Sequence, residues 1–368
     1  MKIEKIQLNH LVMPLVSPFE TSFGRINKRE CILIQMFSEG IIGYGECVAD
    51  HDPAYSYETT GTAWHIIKEF LAPSILRTNI NSPVEFQETV SRVRGHSMAK
   101  ASLEMAIWDL IGKSKGKSVS ELFEGKLKKI KVGVSIGIQD SPETLANVVE
   151  RYLEQGYERI KLKIKPGWDI EYVQFIRKTF PDILLQVDAN SAYSLDSAPK
   201  LLELDSLKLL MIEQPLAEDD LWEHHKLQKL FKTPICLDES ILSGPHAVAA
   251  IEMGACQIIN IKAGRVGGLS EAIKIHNICL QRGIKNWCGG MLETGVGRAS
   301  NLALSVLTNF CLPADISATN RYYERDITNE EFKLNPDSTI DVPDGYGLGV
   351  TINEKAMKAY TVHEDTYV

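Results

Sequence analysis

Five ionisable residues recur at an almost constant interval in the middle of the chain, and their types suggest chemistry. Successive members are 25, 25, 25 and 24 residues apart, and they are Lys163, Asp188, Glu213, Asp238 and Lys262. Each lies at the end of a short apolar run, where a β-strand would meet its loop. One strand followed by one helix accounts for such a period, so we expect equivalent positions on successive parallel strands.

The three central carboxylates predict a divalent-cation site. If Asp188, Glu213 and Asp238 converged without a counter-ion, they would repel one another and at least one would take up a proton. Ligands that are all oxygen favour a hard ion, Mg²⁺ or Mn²⁺, over Zn²⁺. Each carboxylate taken singly is also compatible with an ordinary ion pair at a strand end. The shared spacing and the order of charges favour the metal site.

The stretch KLKIK, residues 161–165, predicts a catalytic base. Alternate residues of a strand share a face, so Lys161 and Lys163 point to the same side. A second cation nearby lowers the pKa of a lysine and leaves some neutral amine to accept a proton. We therefore expect Lys163 to be the base, with Lys161 one layer deeper, tuning it and contacting a substrate carboxylate. Lys165 lies past the strand end, and we expect a solvated loop residue.

Two lysines around one metal-bound carboxylate suit the removal of a proton α to that carboxylate. The resulting enediolate carries a second negative charge, which a divalent cation and an ammonium can stabilise. Lys262, opposite Lys163, can return a proton and racemise the carbon, or act as a cation while a β-hydroxyl leaves. A Schiff-base aldolase and a non-catalytic binding protein are the alternatives. The carboxylates count against the first, and the complete residue set counts against the second.

The elements around these residues predict an α/β fold with a TIM-type barrel. From about residue 129, eight apolar strand candidates alternate with helical stretches, which is typical of a parallel barrel. The last candidate, residues 311–317, has no regular helix after it. We therefore expect a (β/α)7β catalytic barrel over residues 128–322.

The rest of the chain predicts a capping domain. Residues 1–127 have an α+β pattern, with a hairpin turn at Glu39-Gly40. A helix that starts near Met98 is expected to end at Gly112 or Gly116. Residues 323–368 are rich in turn-forming residues and are expected to pack back on this domain.

Composition argues against several classes of partner. The chain of 368 residues has 40 basic and 48 acidic side chains, a net charge of −8, which disfavours nucleic acid and anionic membranes as partners. We find neither an apolar run of transmembrane length nor the features of a signal peptide. Seven scattered cysteines without a CxxC pair favour buried, reduced thiols in a cytoplasmic protein. The expected partner is a small-molecule carboxylate substrate.

The motifs around these residues resemble those of the enolase superfamily. They are KLK at 161–163, VDAN at 187–190, IEQP at 212–215, LDES at 237–240 and NIKAGRVGG at 260–268. The paired lysines are similar to those of the muconate-lactonising subgroup. Mandelate-racemase-like members would need a histidine after the seventh strand, where NWCGGM contains none.

Within that subgroup the chain resembles, end to end, the family of o-succinylbenzoate synthases that also act as N-succinyl- or N-acylamino acid racemases. The supporting stretches are SPFETSFG at 17–24, GYGECV at 43–48, RIKLKIKPGWD at 159–169, TPICLDES at 233–240, NWCGGMLETGVGR at 286–298 and LPADISATNRYYERDIT at 312–328. The resemblance implies a Mg²⁺-dependent lyase of menaquinone biosynthesis, an N-acylamino acid racemase, or both. A muconate cycloisomerase-like activity is a remote alternative. Dipeptide epimerases carry Asp-x-Asp at strand eight, and Asp315-Ile-Ser317 counts against that activity.

The resemblance also implies a set of pocket residues. Residues 17–24 would form a mobile lid whose Phe19 and Phe23 shield the reaction from water. Tyr55 would reach the pocket from the loop at 47–59. The other implied substrate contacts are Ser135, Asn190, Arg265, Gly289, Gly290 and Met291. Backbone N–H groups of the last three would hold the distal carboxylate or acyl carbonyl, and the family further implies a homo-oligomer.

Overall fold

The structure of the chain is a computed structural model that describes residues 1–76 and 78–368. The strands are β1 Lys5–Thr21, β2 Gly24–Ser38, β3 Ile41–Cys47, β4 Lys129–Lys131, β5 Gly133–Ile136, β6 Arg159–Lys163, β7 Leu184–Asp188, β8 Ile212–Glu213, β9 Ile235–Leu237, β10 Ile258–Ile261, β11 Lys285–Cys288, β12 Thr339–Asp341 and β13 Thr361–Tyr367. The α-helices are α1 Thr60–Ile66, α2 Ala72–Ile75, α3 Pro83–Thr89, α4 Ser97–Lys115, α5 Val119–Leu122, α6 Pro142–Glu154, α7 Ile170–Thr179, α8 Ala198–Leu201, α9 Leu221–Leu230, α10 Gly244–Met253, α11 Ala263–Val266, α12 Leu269–Arg282, α13 Gly295–Leu304 and α14 Glu354–Tyr360. A π-helical turn spans Ile67–Leu71, and 3-10 turns span Leu195–Ser197, Leu202–Leu207 and Thr319–Arg321.

The N-terminal sheet is antiparallel, with the strand order β13-β1-β2-β3. The predicted turn between β2 and β3 is confirmed, because Glu39 and Gly40 both have positive φ (51° and 80°), as a tight two-residue hairpin requires. At the other end of β2, residues 17–26 form the hairpin tip of β1 and β2, where Phe19 pairs with Ile26. The segment expected to be a lid is therefore paired strand and turn, and its mobility stays a prediction.

Helix α4 packs closely against β3. A Cβ atom on Gly43 or Gly45 would run into the backbone oxygens of Ala106 and Ser102, so only glycine permits this approach. The helix ends at Gly116, which adopts the left-handed conformation with φ 62°. This confirms one of the two predicted ends of the helix.

Gly112, the other predicted end, lies inside α4. A Cβ at this position would come within 2.7 Å of the Gly347 Cα, in the C-terminal tail. The glycine is therefore explained by the close packing of the tail on the helix and not by a helix end.

The barrel prediction is confirmed. In the described part of the chain, seven parallel strands run in sequence order from β5 to β11. Along β6, Ile160 and Leu162 join an apolar cluster that also contains Val173 and Ile176 of α7. The alternate lysines of β6 consequently face the barrel interior, as period-2 alternation requires.

The predicted eighth strand is wrong as a regular strand, although its segment closes the barrel. On one side, Cys311 N donates to Asn286 O at 3.3 Å and Asp315 N donates to Cys288 O at 2.9 Å. On the other side, Ala314 exchanges bonds with Lys131 and Gly133, at 2.9 and 2.8 Å. Pro313 has no N–H to donate, so a continuous ladder cannot form here.

The connection between β7 and β8 also departs from the predicted regular helix. It consists of a 3-10 turn, the one-turn helix α8 and a second 3-10 turn. Asp205, in the second 3-10 turn, accepts backbone hydrogen bonds from Lys232 and Thr233, both at 2.9 Å. These bonds tie the connection to the start of β9, which favours a short irregular path over a longer helix.

The C-terminal tail contacts both parts of the molecule. Strand β13 pairs antiparallel with β1 in the N-terminal sheet. Strand β12 instead pairs with β4 beside the barrel. The proposed boundaries after residues 127 and 322 stay predictions.

The cysteines are free thiols, and six of the seven are buried as expected. Cys311 is the exposed one, which corrects the expectation that all are buried. It lies in the irregular segment that closes the barrel. Within residues 1–76 and 78–368, no helix combines the length and the apolarity needed to cross a bilayer.

Candidate active site

The first three residues of the periodic set lie on one rung of the barrel. Lys163 pairs with Asp188, and Asp188 pairs with Glu213, in the parallel ladders of β6, β7 and β8. The next rung partner is Cys236, so Asp238 lies two residues farther along its strand direction. The ladder itself therefore does not place all the carboxylates in register.

Barrel tilt accounts for this offset. Ile258 pairs with Cys236 and Ile259 with Leu237, so Asp238 is level with Asn260, and Lys262 lies two residues beyond. From the first residue of the set to the last, the register advances four residues over four strand steps. An eight-stave barrel of shear 8 needs an average advance of one residue per strand to stay at one height. The five side chains therefore share the C-terminal rim.

A buried lysine lies between two of the carboxylates. The Lys161 Nζ is 3.2 Å from Asp188 Oδ2 and 3.0 Å from Glu213 Oε2, and it also contacts Asp315. Burial alone would lower the pKa of Lys161, but Asp315, Glu213 and Asp188 together raise it above its ordinary value. Lys161 is thus held as a cation.

The three carboxylates are suitable ligands for a hard divalent cation, although in the structure they form ion pairs with the lysines. Asp188, Glu213 and Asp238 are all at most 1% exposed. Burial and then repulsion by Asp188 raise the pKa of Glu213, so added positive charge would be stabilising here. Glu239 Oε2 and Asn260 Oδ1 are buried without a described partner. As placed, no three acidic, histidine or cysteine side chains among residues 1–76 and 78–368 are arranged as metal ligands.

Lys163 is held by two oxygens at the cavity wall. Its Nζ lies 2.6 Å from Asp188 Oδ2 and 2.6 Å from Asn190 Oδ1. Burial lowers the pKa of Lys163, and the charge of Lys161 adds to this, against the opposing attraction of Asp188. This is the direction that favours a proton acceptor.

Lys262 occupies a different environment. Its Nζ donates to Asp238 Oδ2 at 2.7 Å and to the Tyr55 hydroxyl at 3.1 Å. Burial would lower the pKa of Lys262, but Tyr55, Glu213 and Glu239 outweigh it and raise the pKa. The two lysines therefore differ in protonation tendency, with Lys262 favoured as the cation.

A cavity between the barrel mouth and the N-terminal part brings most predicted pocket residues together. Its lining includes Lys163, Asn190, Lys262, Phe19, Phe23, Tyr55, Gly290 and Met291. Phe19 is buried, whereas Phe23 is 43% exposed at the turn of the hairpin tip. The predicted base, the predicted cation and the aromatic side chains thus share one space.

Other predicted contacts lie apart from this cavity. Arg265 is buried, contacts Asp238 and lies 3.3 Å from the Tyr55 hydroxyl. Ser135 is buried and does not line this cavity, and its Oγ has no hydrogen-bond partner within the described residues. The expectation for Gly289 is wrong, because its N–H donates to Ile261 O at 3.1 Å and is not available to a substrate.

Two further expectations need correction or extension. Lys165 is not a solvated loop residue, because it pairs with Glu20 at 2.9 Å and only 24% of its side chain is exposed. Sequence reasoning also missed Arg29, which lines the cavity and pairs with Asp50 at 2.8 Å. The acidic residues Asp50 and Asp52 in the same loop as Tyr55 were the available signal.

The fold and the site define a class of protein: a barrel enzyme with a capping sheet, with lysines and carboxylates at the C-terminal mouth of its strands. Residues 4–124 match the family described as mandelate racemase / muconate lactonizing enzyme, N-terminal domain, and residues 144–356 match the enolase C-terminal domain-like family. The chain belongs to the enolase superfamily, in its mandelate racemase and muconate lactonizing enzyme family. Enzymes of this superfamily generally use a divalent metal ion.

Relatives match the chain over nearly its whole length. An o-succinylbenzoate synthase of Geobacillus kaustophilus is 49% identical over 98% of this chain and 96% of its own. An N-succinylamino acid racemase of Thermus thermophilus is 46% identical over 98% of both chains. The crystal structure of an enolase-superfamily member from Listeria innocua superposes with a TM-score of 0.96 at 44% identity, covering 100% of this chain and 99% of that one.

Proposed function

We propose that this chain is a lyase that removes a proton α to a carboxylate and forms o-succinylbenzoate. The substrate would be 2-succinyl-6-hydroxy-2,4-cyclohexadiene-1-carboxylate, in menaquinone biosynthesis. The observation that carries the proposal is that Lys163 and Lys262 line one cavity, each paired with a different buried carboxylate. The relative named o-succinylbenzoate synthase, at 49% identity, supports the choice of substrate.

The lysines have distinct roles in this proposal. Lys163 takes the α-proton, since burial lowers its pKa and Asn190 holds its Nζ in place. Lys161 and Lys262 stay protonated and stabilise the negative charge that develops on the substrate carboxylate. The proton on Lys163 then passes to the departing hydroxyl, which leaves as water. Phe19 limits the access of solvent to the cavity.

Asp188, Glu213 and Asp238 would hold a divalent cation, for which we propose Mg²⁺, with Mn²⁺ able to replace it. When bound, the ion supplies positive charge that stabilises an enediolate. Their burial and their all-oxygen chemistry support this choice.

N-succinylamino acid racemisation is a second candidate activity. It needs a proton donor on the face opposite the base, and the Lys262 ammonium on the same cavity can fill that role. The 46% identical relative named N-succinylamino acid racemase favours it as well. Both reactions use the same proton abstraction, so one site can support both.

The direct test measures both reactions on the purified protein with Mg²⁺. We expect o-succinylbenzoate formation and racemisation of N-succinylamino acids, each abolished by EDTA and restored by added Mg²⁺. The Lys178→Ala variant, which alters a lysine on α7 away from the cavity, is the control and should keep both rates. No reaction on either substrate would refute the proposed function.

The separate roles of the two lysines are tested by exchange of the α-proton in D₂O. Because each lysine serves one face, Lys163→Ala and Lys262→Ala should each abolish racemisation, by more than about a thousandfold. Exchange that survives on one enantiomer in a variant would show that the remaining lysine serves one face. Racemisation at the normal rate in either variant would remove that lysine from the mechanism.

We also propose that the protein works in the cytoplasm as a homo-oligomer, without nucleic-acid or membrane partners. Free cysteines and a net charge of −8 support this setting. Sedimentation velocity of the purified protein tests the assembly state, and a monomer at micromolar concentration would contradict it.

A further inference from the structure

A second cleft lies beside the hairpin tip, separate from the catalytic cavity. The tip contributes one wall, with Ser17, Glu20 and Arg25. The barrel contributes the other walls, with the loop after β5, helix α6 and the 3-10 turn that ends at Arg321. The two sides approach closely, because Ile138 N donates to Glu20 O at 2.9 Å.

Three arginines from three different elements line this cleft. Arg25 lies on β2 in the hairpin tip, Arg151 on α6 and Arg321 in the 3-10 turn. Among the described residues, neither Arg25 nor Arg151 has a carboxylate within ion-pair distance. Their guanidinium groups are therefore available to a ligand.

Arg321 is the buried member of this set. It is only 7% exposed, and its guanidinium stacks near Tyr152 and Tyr322, at 5.1 and 4.8 Å. One of its nitrogens donates to Ser135 O at 2.8 Å, whereas its Nε is buried without a described partner. A buried donor without a partner costs free energy unless a ligand or water satisfies it.

The residues that line the cleft carry a net positive charge. Two carboxylates, Glu20 and Asp140, face the three arginines. Glu20 is already paired with Lys165 at 2.9 Å, so its charge is compensated from outside the cleft. A concave surface with uncompensated positive charge concentrates anions, and arginine binds oxyanions through paired N–H donors.

We propose that this arginine cleft binds a small oxyanion with two negative charges, of the class of inorganic phosphate. Because Arg25 belongs to the hairpin tip whereas Arg151 and Arg321 belong to the barrel side, the bound anion ties the tip to the barrel. Phe19, which lines the catalytic cavity, lies 5.7 Å from the Arg321 guanidinium. Anion binding therefore stabilises the hairpin tip in its place beside the catalytic cavity.

Calorimetric titration of the full chain with inorganic phosphate, at ionic strength held constant with sodium chloride, tests the site. We expect saturable binding to the wild-type protein and about tenfold weaker binding to Arg151→Gln, an exposed position whose change should not disturb folding. Arg92→Gln, an exposed arginine outside the cleft, is the matched control and should bind as the wild type does.

Limited trypsin digestion reports on the hairpin tip itself. Phosphate should slow cleavage of the Arg25–Ile26 bond at least fivefold in the wild type, and Arg151→Gln should need about tenfold more phosphate for the same protection. The same phosphate dependence in both proteins would overturn the proposal. So would binding that Lys163→Ala weakens and Arg151→Gln does not, since the anion would then occupy the catalytic cavity. Neither measurement depends on the proposed reaction.

Discussion

One tyrosine hydroxyl joins the N-terminal part to the charged groups of the barrel. The Tyr55 hydroxyl donates to Asp238 Oδ1 at 3.1 Å and lies 3.1 Å from the Lys262 Nζ. The Lys262 ammonium also lies over the Tyr55 ring, 4.4 Å from the ring centroid. The side chain therefore orients the lysine through both its hydroxyl and its ring.

Removing this hydroxyl should impair catalysis without unfolding the protein. We expect Tyr55→Phe to lower kcat/KM by about tenfold or more, because a hydrogen bond to a charged group contributes about 1.5–3 kcal/mol. Tyr57→Phe is the control, since Tyr57 is 60% exposed and outside the ion-pair network. Equal kcat/KM values in the two variants would show that the hydroxyl has no role.

Among single residues, the sequence predicted those that lie at its regular interval of 24 or 25 residues. The regular interval identified Lys163 and Lys262, and the structure places both on one cavity. The same approach missed the role of Asp315, which contacts Lys161 and pairs with Arg159. Contacts of this kind depend on how the eighth stave closes the barrel, and no local pattern in the sequence reports that.

Helix α13 is anchored across the molecule by a carboxylate of β3. Glu46 accepts hydrogen bonds from the Thr294 N–H at 3.1 Å, the Thr294 hydroxyl at 2.6 Å and the Gly297 N–H at 2.9 Å. The helix N-terminus favours negative charge. Burial nevertheless raises the pKa of Glu46 to about 7. Repulsion from Glu293 adds to this increase, whereas the hydrogen bonds from Thr294 oppose it.

This pKa predicts a pH-dependent contribution to stability. Because the folded-state value of about 7 exceeds the ordinary value of 4.5, the contribution is present in full below pH 4.5 and is lost as the pH rises through 7. Within this window the free energy of unfolding should fall by up to about 1.4 kcal/mol per pH unit from this group. Glu46→Gln should lack that slope in urea unfolding measured at several pH values. Glu4→Gln, at an exposed position, should keep it, and parallel curves for the wild type and Glu46→Gln would contradict the assignment.

At the scale of elements, the alternation of apolar runs and helical stretches was sufficient to predict the barrel. It was insufficient where a side chain or a proline interrupts the repeat. Pro313 removes an N–H from the eighth stave, and Asp205 binds the connection before β8 to the next strand. Such interruptions depend on single residues and contacts, which an average pattern of apolar and polar residues does not detect.

The ends of the chain meet in one sheet, because β13 pairs with β1. Without β13, the outer edge of β1 would expose unpaired backbone N–H and C=O groups, and such an edge favours association between molecules. We expect a chain that ends at residue 360 to unfold at a lower temperature and to aggregate at rising concentration. Thermal unfolding followed by fluorescence and light scattering measures both effects. Deletion of Val368 alone, which is 91% exposed, should change neither.

At the scale of the molecule, the sequence indicated that the turn-rich tail returns to the N-terminal part. It did not indicate that β12 would first pair with β4, beside the barrel. Pairing between distant segments depends on edges that become available only when the sheets have formed. A strand of three residues is too short for its alternation of apolar and polar side chains to predict which strand it pairs with.

The two walls of the catalytic cavity come from parts of the chain that are far apart in sequence. The hairpin tip and the loop with Tyr55 form one wall, and the barrel supplies the lysines. We expect substitutions in the first wall to change which molecules fit, while the lysines stay anchored to their strands. Such a division would let substrate preference change through the N-terminal part while the proton-transfer chemistry of the barrel is kept.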